Sequence, residues 1–420
     1  MTKIFVVNFS DSRGGAAIAA RKQFSLIKNK YNVRYVVAEK NSSELDVFGP
    51  NKFSYYVHFF LRCLSLLLCQ LQWSSNKTKH SINVFSSPHV VTMLDDEVDI
   101  IHLHWVNNET ISLLQLNSLL QKFDRRFLIT LHDDWFFCGA EHSSLDSTRF
   151  IDGYLQSNKN VKGLDLDRWV FNRKLNLKTA LKMRGVIFTA PSLWMVKRAK
   201  SSFLLKDLTV KYLPNIIDVD IFKSVPTECS RSFLSIPMDR LVICFGAIGG
   251  TSNYHKGYDL LIDALNELKK VNANLNIHLL VFGGKKSSEQ SFLGFNVTYT
   301  GHVNESSYLA RIYSAADVVV VPSRIESFGQ VAAESLACET PVVCFNNSAV
   351  AEIVEDGLSG FTAEAFSVSD LTSKLIKILS LSSEERHSLG EYGRNSIRKR
   401  YSSEVVLPIL DDIYNVSSNK

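Results

Sequence analysis

Two glutamates, Glu326 and Glu334, follow a run of four valines in the stretch VVVVPSRIESFGQVAAESLACETPVVCF, residues 318–345. Carboxylates beside a buried strand are costly unless something holds them there. The apolar run ends at Pro322, Ser323 to Glu326 reads as a loop, and a helix is expected from about Ser327 to Cys338. Glu326 then stands at the mouth of that helix and Glu334 two turns inside it, roughly 12 Å further along. Carboxylates so placed accept hydrogen bonds from hydroxyls at the two ends of one ligand. The amides of Ser327, Phe328 and Gly329, at the helix N-terminus, favour an anion between them. A nucleoside diphosphate sugar has that shape, with a ribose at one end and a hexose at the other. Taken singly, Glu326 is as well explained by the helix dipole, and Glu334 by a solvated surface.

Other residues bear on the same chemistry. Lys256, in GAIGGTSNYHKGYDLLIDAL (residues 246–265), falls where a helix starts after a strand, and a cation there neutralises a diphosphate. Gly14 and Gly15 separate the first strand from the first helix. They are either a tight turn that needs glycine anyway or a place where the backbone approaches phosphates. His104 and His132 close two apolar runs, DIIHLHWVNN and LITLHDDWFFCGAEH. A lone histidine is more often a packed or surface residue, but His132 ends a strand and is the better placed of the two. No spacing among His102, His104 and His132 matches a zinc site, so no metal is expected. The triplets Asp165-Leu166-Asp167 and Asp218-Val219-Asp220 do not end convincing strands and are read as chance.

The elements that position these residues come in two series. Strands are expected at residues 4–8, 33–38, 99–104, 127–131 and 186–190, and again at 241–245, 277–282, 297–300, 317–321 and 341–345, with helices between. Continuous Val and Ile without polar alternation means strands covered on both faces, hence parallel sheets flanked by helices. The expected fold class is α/β with two doubly wound domains facing a cleft: 1–214, 215–400, and a terminal helix at 401–420, interrupted near Pro408, packing back on the first. A chain of 420 residues is long for one core. In doubly wound sheets ligands lie beyond the carboxyl ends of the strands.

Charge is uneven. Residues 1–214 hold 29 Lys and Arg against 18 Asp and Glu, whereas residues 215–420 hold 18 against 24. The cationic half predicts an anionic partner such as a phosphate-bearing substrate or an acidic lipid surface. No zinc spacing, ribonucleoprotein motif or helix-turn-helix pattern points to nucleic acid. The seven scattered cysteines form no C-x-x-C pair and read as reduced thiols of a cytosolic protein. The N-terminus is too poor in apolar residues for a signal peptide and reads as a strand.

At this point the chain resembles a known family. PSRIESFGQVAAESLACETPVV resembles the donor-site signature of the retaining glycosyltransferases of the GT-B fold, the glycosyl transferases group 1 family. Pro322, Ser323, Glu326, Phe328, Gly329, Glu334, Ala337, Thr340 and Pro341 all fall in place. The resemblance implies that Glu326 contacts the donor sugar and Glu334 the ribose of a UDP- or GDP-linked donor, with no metal required. Gly301-His302-Val303 resembles the loop whose backbone meets the nucleobase, Leu213–Phe222 the interdomain segment, and Gly14-Gly15 the loop near the phosphates. His132 matches the histidine that approaches donor sugar and acceptor. Asp133 is the candidate to orient it or the acceptor hydroxyl, and His104 a further acceptor-side candidate. Two positions depart from the pattern. Glu339 replaces a helix-closing glycine, and Ala247 stands where an arginine is common, so Thr251, Ser252 or His255 would compensate.

The resemblance further implies retention without an enzyme nucleophile and an acceptor that is a lipid-linked oligosaccharide or lipopolysaccharide, as in bacterial surface-polysaccharide enzymes. Competing readings are an epimerase or phosphorylase on the same fold, or a non-catalytic nucleotide-binding protein. A dinucleotide dehydrogenase lacks its glycine fingerprint. Residues 53–73, FSYYVHFFLRCLSLLLCQLQW, are the longest apolar region, but His58 and Arg62 make a poor span. A buried core helix and an interfacial membrane helix both remain open. LWMVKRAKSSFLLK, residues 193–206, mixes Trp194 and Met195 with Lys197, Arg198 and Lys200, as a surface on acidic lipid would. The expected location is cytoplasmic, peripheral on the inner face of the membrane.

Overall fold

The structure is a computed structural model that describes residues 2–74, 76–94, 98–122, 125–145, 147–246, 253–271, 276–284 and 287–415. The chain folds as two units, Met1–Ile216 with Val406–Lys420, and Ile217–Val405.

The first unit is built on strands β1 (Lys3–Ser10), β2 (Asn32–Glu39), β3 (Val47–Phe48), β4 (Ile100–Leu103), β5 (Arg126–Thr130), β6 (Ile187–Ala190) and β7 (Thr209–Tyr212). They form one sheet in the order β3-β2-β1-β4-β5-β6-β7, every pairing parallel. The second unit holds β8 (Leu241–Gly246), β9 (Ile277–Phe282), β10 (Ser291–Phe292), β11 (Phe295–Gly301), β12 (Val318–Val321), β13 (Val342–Phe345) and β14 (Gly360–Ala363). Their order is β10-β11-β9-β8-β12-β13-β14, parallel except for the hairpin of β10 with β11.

The valine run shows why such strands carry no polar alternation. Val318 and Val320 pack with Leu261 and Leu375 on one face, Val319 and Val321 with Ala332 and Leu336 on the other. Successive side chains of a strand point to opposite faces, so both faces being covered demands apolar residues at every position. Each fully buried valine contributes roughly 1.5–3 kcal/mol. In the first unit Ile4 and Val6 join Phe24 and Leu410, while Phe5 and Val7 join Leu116.

Several expectations need correction. The strands β3, β7, β10 and β14 were not expected; β3 and β10 are two residues long, too short for any pattern to show. The helix after Glu326 runs Gln330–Ala337, three residues later than expected, because Gly329 caps it at φ 102° and Phe328 is turned into the core, edge-on to Tyr401 at 5.2 Å. The last helix, Ser403–Asn415, is not interrupted at Pro408. Its Val406, Leu410, Ile413 and Tyr414 lie in the core of the first unit, and that burial outweighs the one backbone hydrogen bond proline removes. In the helix Leu193–Ser201, Met195 is fully buried and Arg198 is engaged by Asp134 at 2.8 Å, so these two serve the fold, while Lys197 and Lys200 are exposed. The helix Lys52–Gln70 is not a core helix: its buried residues are His58 and Ser65.

Candidate functional site

In the second unit the chain order reverses beside β8, with β9 on one side and β12 on the other. Open parallel sheets bind ligands at such a reversal, beyond the strand ends. The loop after β12 and the 3-10 turn Tyr254–Lys256 meet there. Lys256 Nζ donates to Glu326 Oε1 at 2.6 Å, and Ser323 Oγ donates to the same oxygen at 2.8 Å. The sequence placed Lys256 on a phosphate and Glu326 on a sugar as separate tasks; the structure brings the two into contact. Lys256 keeps 41 % of its side chain exposed and Glu326 18 %, so both stay within reach of a ligand.

Arg324 locks these two segments. Its guanidinium donates twice to Asp259, at 2.7 and 2.6 Å, and once to the carbonyl of Tyr254 at 2.8 Å, while its amide donates to the His255 carbonyl. The bidentate geometry is the strong form of such a pair, and it holds the Asp259 carboxyl below its usual range. Gly257 completes the junction. It has φ +63°, and a Cβ there would stand 1.9 Å from the Pro322 carbonyl oxygen. Only glycine permits that approach.

Glu334 is 6 % exposed, not a solvated acid. Gln330 Nε2 donates to its Oε1 at 2.6 Å and Tyr313 OH to its Oε2 at 3.2 Å. Burial, together with the adjacent carboxylate, pushes the Tyr313 hydroxyl well above its usual pKa, so it remains a donor. Gly301 ends β11 next to β9, where its carbonyl accepts from the Gly283 amide at 2.8 Å, and Val303 packs against the core just beyond. Ser327, Phe328 and Gly329 precede the helix as a turn; Phe328 is buried, so only its backbone remains for a ligand. Glu339 does adopt the left-handed conformation, φ 62°, with Arg394 Nε 3.6 Å from its carboxylate. Thr251, Ser252 and Ala247 lie outside the described residues.

The first unit reverses its strand order beside β1, between β2 and β4. Gly14 follows β1 at φ 86° and caps the helix Gly15–Ile27; a Cβ at either glycine would meet nothing within 4 Å. Backbone conformation at Gly14, not crowding, is what asks for glycine there. His104 follows β4 and His132 follows β5. Their rings stack 5.2 Å apart, with His104 Nδ1 and His132 Nε2 at 2.9 Å. One ring donates and the other accepts, so each fixes the tautomer of the other. His102 lies 4.3 Å from His104 and is held by Tyr414 and Thr130. Burial pulls His132 down to about 4, and burial with its neighbours holds His104 well below its usual pKa. Both are neutral at neutral pH. The His104 Nε2 is buried with no protein partner and borders a cavity of about 20 Å³ shared with Asn107, His132 and Asp133, room for about one water.

Asp133 does not orient His132 through a hydrogen bond. Its oxygens accept from Trp105 Nε1 at 2.7 Å, His142 Nδ1 at 2.6 Å and the Trp135 amide at 3.0 Å. Burial opposes its charge, but these donors hold its pKa below the usual value. The loop carrying His132, Asp133 and His142 is tied down from beneath by Lys174, fully buried, whose Nζ donates to the carbonyls of Trp135, Cys138 and Gly139. The D-x-D triplets are structural: Asp165 caps the helix Leu166–Met183, Asp167 binds the Ala140 amide, and Asp218 accepts from the amides of Asp220 and Ile221. Among the described residues no three His, Cys, Asp or Glu converge as a metal site would require.

Sequence reasoning missed Arg324, Asp259, Tyr313 and Gln330, and gave Ser323 no role beyond its place in the motif. Ser323 is three residues before Glu326, and Gln330 one helical turn before Glu334, spacings that local geometry could have revealed. Arg324–Asp259 and Tyr313–Glu334 are long-range pairs that no local pattern announces.

Residues 231–396 match the model of the family described as glycosyl transferases group 1. An uncharacterized glycosyltransferase of Methanocaldococcus jannaschii is 32% identical over 178 residues, 42% of this chain and 49% of that protein. The lipopolysaccharide 1,2-N-acetylglucosaminetransferase of Salmonella typhimurium is 27% identical over 213 residues, 47% of this chain and 54% of that protein. Among solved structures, Anabaena HepE in complex with UDP superposes with a TM-score of 0.64 at 16% identity, covering 99% of this chain and 100% of that one. The second unit thus carries a glycosyl transferases group 1 domain, and the chain has the GT-B fold. It spans about half the length of the curated relatives it matches.

Proposed function

We propose that this protein is a retaining hexosyltransferase that moves a sugar from a UDP- or GDP-linked donor to a lipid-linked oligosaccharide or lipopolysaccharide acceptor, working at an anionic membrane face. The observation that carries the reading is the Lys256–Ser323–Glu326 cluster at the strand reversal of the second unit. A diphosphate would draw Lys256 away from Glu326, freeing that carboxylate to accept from sugar hydroxyls. Glu334 takes the ribose hydroxyls in exchange for Gln330, which is the less buried of its two partners.

In the transfer, the bond from the anomeric carbon to the diphosphate oxygen breaks as the acceptor hydroxyl oxygen bonds to the same face of that carbon. The hydroxyl proton leaves with the diphosphate. Negative charge grows on the departing oxygens, and Lys256 with the amides after Glu326 stabilises it without a resident metal. The neutral imidazole of His132, its tautomer set by His104, hydrogen-bonds at the acceptor side. The UDP complex of a protein with this fold and the lipopolysaccharide transferase among the relatives support the donor and acceptor classes.

The test is a thermal-shift panel of UDP- and GDP-sugars, followed by transfer of radiolabel from the best donor to lipid extracts and product analysis for anomeric configuration. Stabilisation by one nucleotide-sugar class and an α-linked product from an α-linked donor are expected. An inverted product would remove the retaining step, and no stabilisation by any member of the panel would remove the donor assignment.

A further inference from the structure

The helix Lys52–Gln70 is built inside out. Its polar residues are the buried ones: His58 Nε2 donates to the carbonyls of Asn108 and Glu109 at 2.9 and 3.0 Å, and Ser65 Oγ donates to Glu109 Oε1 at 2.6 Å. Arg62 reaches Glu39 at 3.3 Å with its guanidinium 4.6 Å from the Phe9 ring. The opposite face is apolar and open to solvent, with Phe53 78 %, Tyr56 67 %, Phe59 50 %, Phe60 66 % and Leu67 60 % exposed, and Trp73 just beyond at 72 %. Leu164, 58 % exposed, extends the patch, because its amide and that of Gly163 donate to the carbonyls of Leu71 and Gln72. The fold therefore secures this helix through hydrogen bonds and the packing of Leu68 and Cys69 at its end, and leaves most of its large apolar side chains exposed. A contiguous patch of this kind marks an interaction surface.

Charge identifies the partner. From Val47 to Leu94 the chain has no Asp or Glu, while Lys52 and Lys77 flank the apolar stretch in sequence and Lys159 and Lys162 precede Leu164, all four exposed. Aromatic and aliphatic side chains ringed by lysines fit the headgroup and acyl boundary of an anionic monolayer. A second copy of the chain would set these lysines against their own kind with no acid in the stretch to receive them. No helix of the described residues is long and apolar enough to cross a membrane, so the helix would lie in the interface.

We infer that the outward face of the helix Lys52–Gln70, with Leu71, Trp73 and Leu164, docks the protein on an anionic lipid bilayer. This deepens the functional reading, on which the lipid-linked acceptor rests, by naming the surface that meets the membrane carrying it.

The test is co-sedimentation of the full chain with vesicles of phosphatidylglycerol and phosphatidylethanolamine, against vesicles of phosphatidylcholine alone. Wild-type protein is expected to partition onto the anionic vesicles. Phe59→Ser with Phe60→Ser lowers that partitioning by about tenfold or more, since each ring withdrawn from the interface forfeits a substantial transfer term. Lys52→Glu with Lys77→Glu lowers it roughly tenfold on anionic vesicles only, and added salt weakens the wild type likewise. All these positions are exposed or flank the helix, and an unchanged thermal shift with the preferred nucleotide sugar shows that each variant is folded. Wild-type protein left in the supernatant, equal binding to phosphatidylcholine, or a phenylalanine pair variant that binds as well as wild type would each overturn the inference. So would a concentration-dependent dimer that the phenylalanine substitutions abolish. If vesicles bind but no nucleotide sugar shifts the melting transition, the docking surface stands and the donor assignment falls.

Discussion

The two units end their sheets in the same way and equip those ends oppositely. At the reversal beside β8, the second unit presents an ion pair, Lys256 with Glu326, both partly exposed. At the reversal beside β1, and on the neighbouring β5, the first unit presents buried imidazoles that desolvation keeps neutral. A doubly wound sheet supplies the location, and the loop residues decide whether it is a charged or a neutral one. Charged groups suit a diphosphate that leaves as an anion. Neutral donors and acceptors suit a hydroxyl that must be held without being ionised.

The difference can be broken at the charged end first. Lys256→Ala is expected to cut kcat by about 10²- to 10³-fold, the scale seen when one donor to a developing oxyanion is lost. Steady-state kinetics check it, and a loss confined to KM would show that Lys256 serves ground-state binding only. Glu334→Ala comes next. It removes the proposed ribose acceptor and leaves the Tyr313 hydroxyl buried without its partner, which costs about 1–3 kcal/mol. Nucleotide affinity should fall roughly tenfold or more by calorimetry, with transfer at saturating donor much less affected. Wild-type affinity in this variant would strip Glu334 of its assigned role.

The neutral end is sharpened by pH. His58 and His132 are held near 4 and His102 near 3 by burial, against 6.5 in an unfolded chain. The unfolded state therefore binds more protons as pH falls, so stability drops from about pH 6.5 downward until these folded-state values are passed. Each pKa unit of depression is worth about 1.4 kcal/mol per histidine. Melting followed from pH 7 to pH 4.5 should fall steadily, and substituting Gln for His102 should flatten that fall. The smallest effect is expected at Glu339→Gly. Relief of the left-handed strain gains about 1 kcal/mol, less whatever the Arg394 contact at 3.6 Å contributes. A melting temperature raised by a few degrees or less checks it.

Much of the fold was legible because buried parallel strands announce themselves: among the described residues, ten of the fourteen strands coincide with apolar runs, and the four missed are short or lie at the sheet edges. The motif around Glu326 and Glu334 was legible as a string because its residues are close in sequence. That Asp133 does not hydrogen-bond His132 was not legible, because its partners, Trp105 and His142, are set by folding, and a carboxylate beside a histidine in sequence need not point at it. The helix Lys52–Gln70 left two readings open for a related reason. Ser54, His58, Arg62 and Ser65 recur at helical spacing and leave a wide apolar face, and that periodicity cannot say which side faces inward.

By itself, then, the sequence determined the two parallel sheets, since continuous apolar strands have no stable place except between two helical layers. It also determined the order of the motif around Glu326 and Glu334, because a local string sets its own loop and helix. Only the tertiary structure decided that Lys256 and Glu326 share a hydrogen bond, that Glu334 is buried under Tyr313, and that His58 and Ser65 turn inward while Phe59 and Phe60 turn out. Those outcomes depend on what lies opposite each side chain after folding, where the cost of an unpaired buried polar group outweighs any local preference.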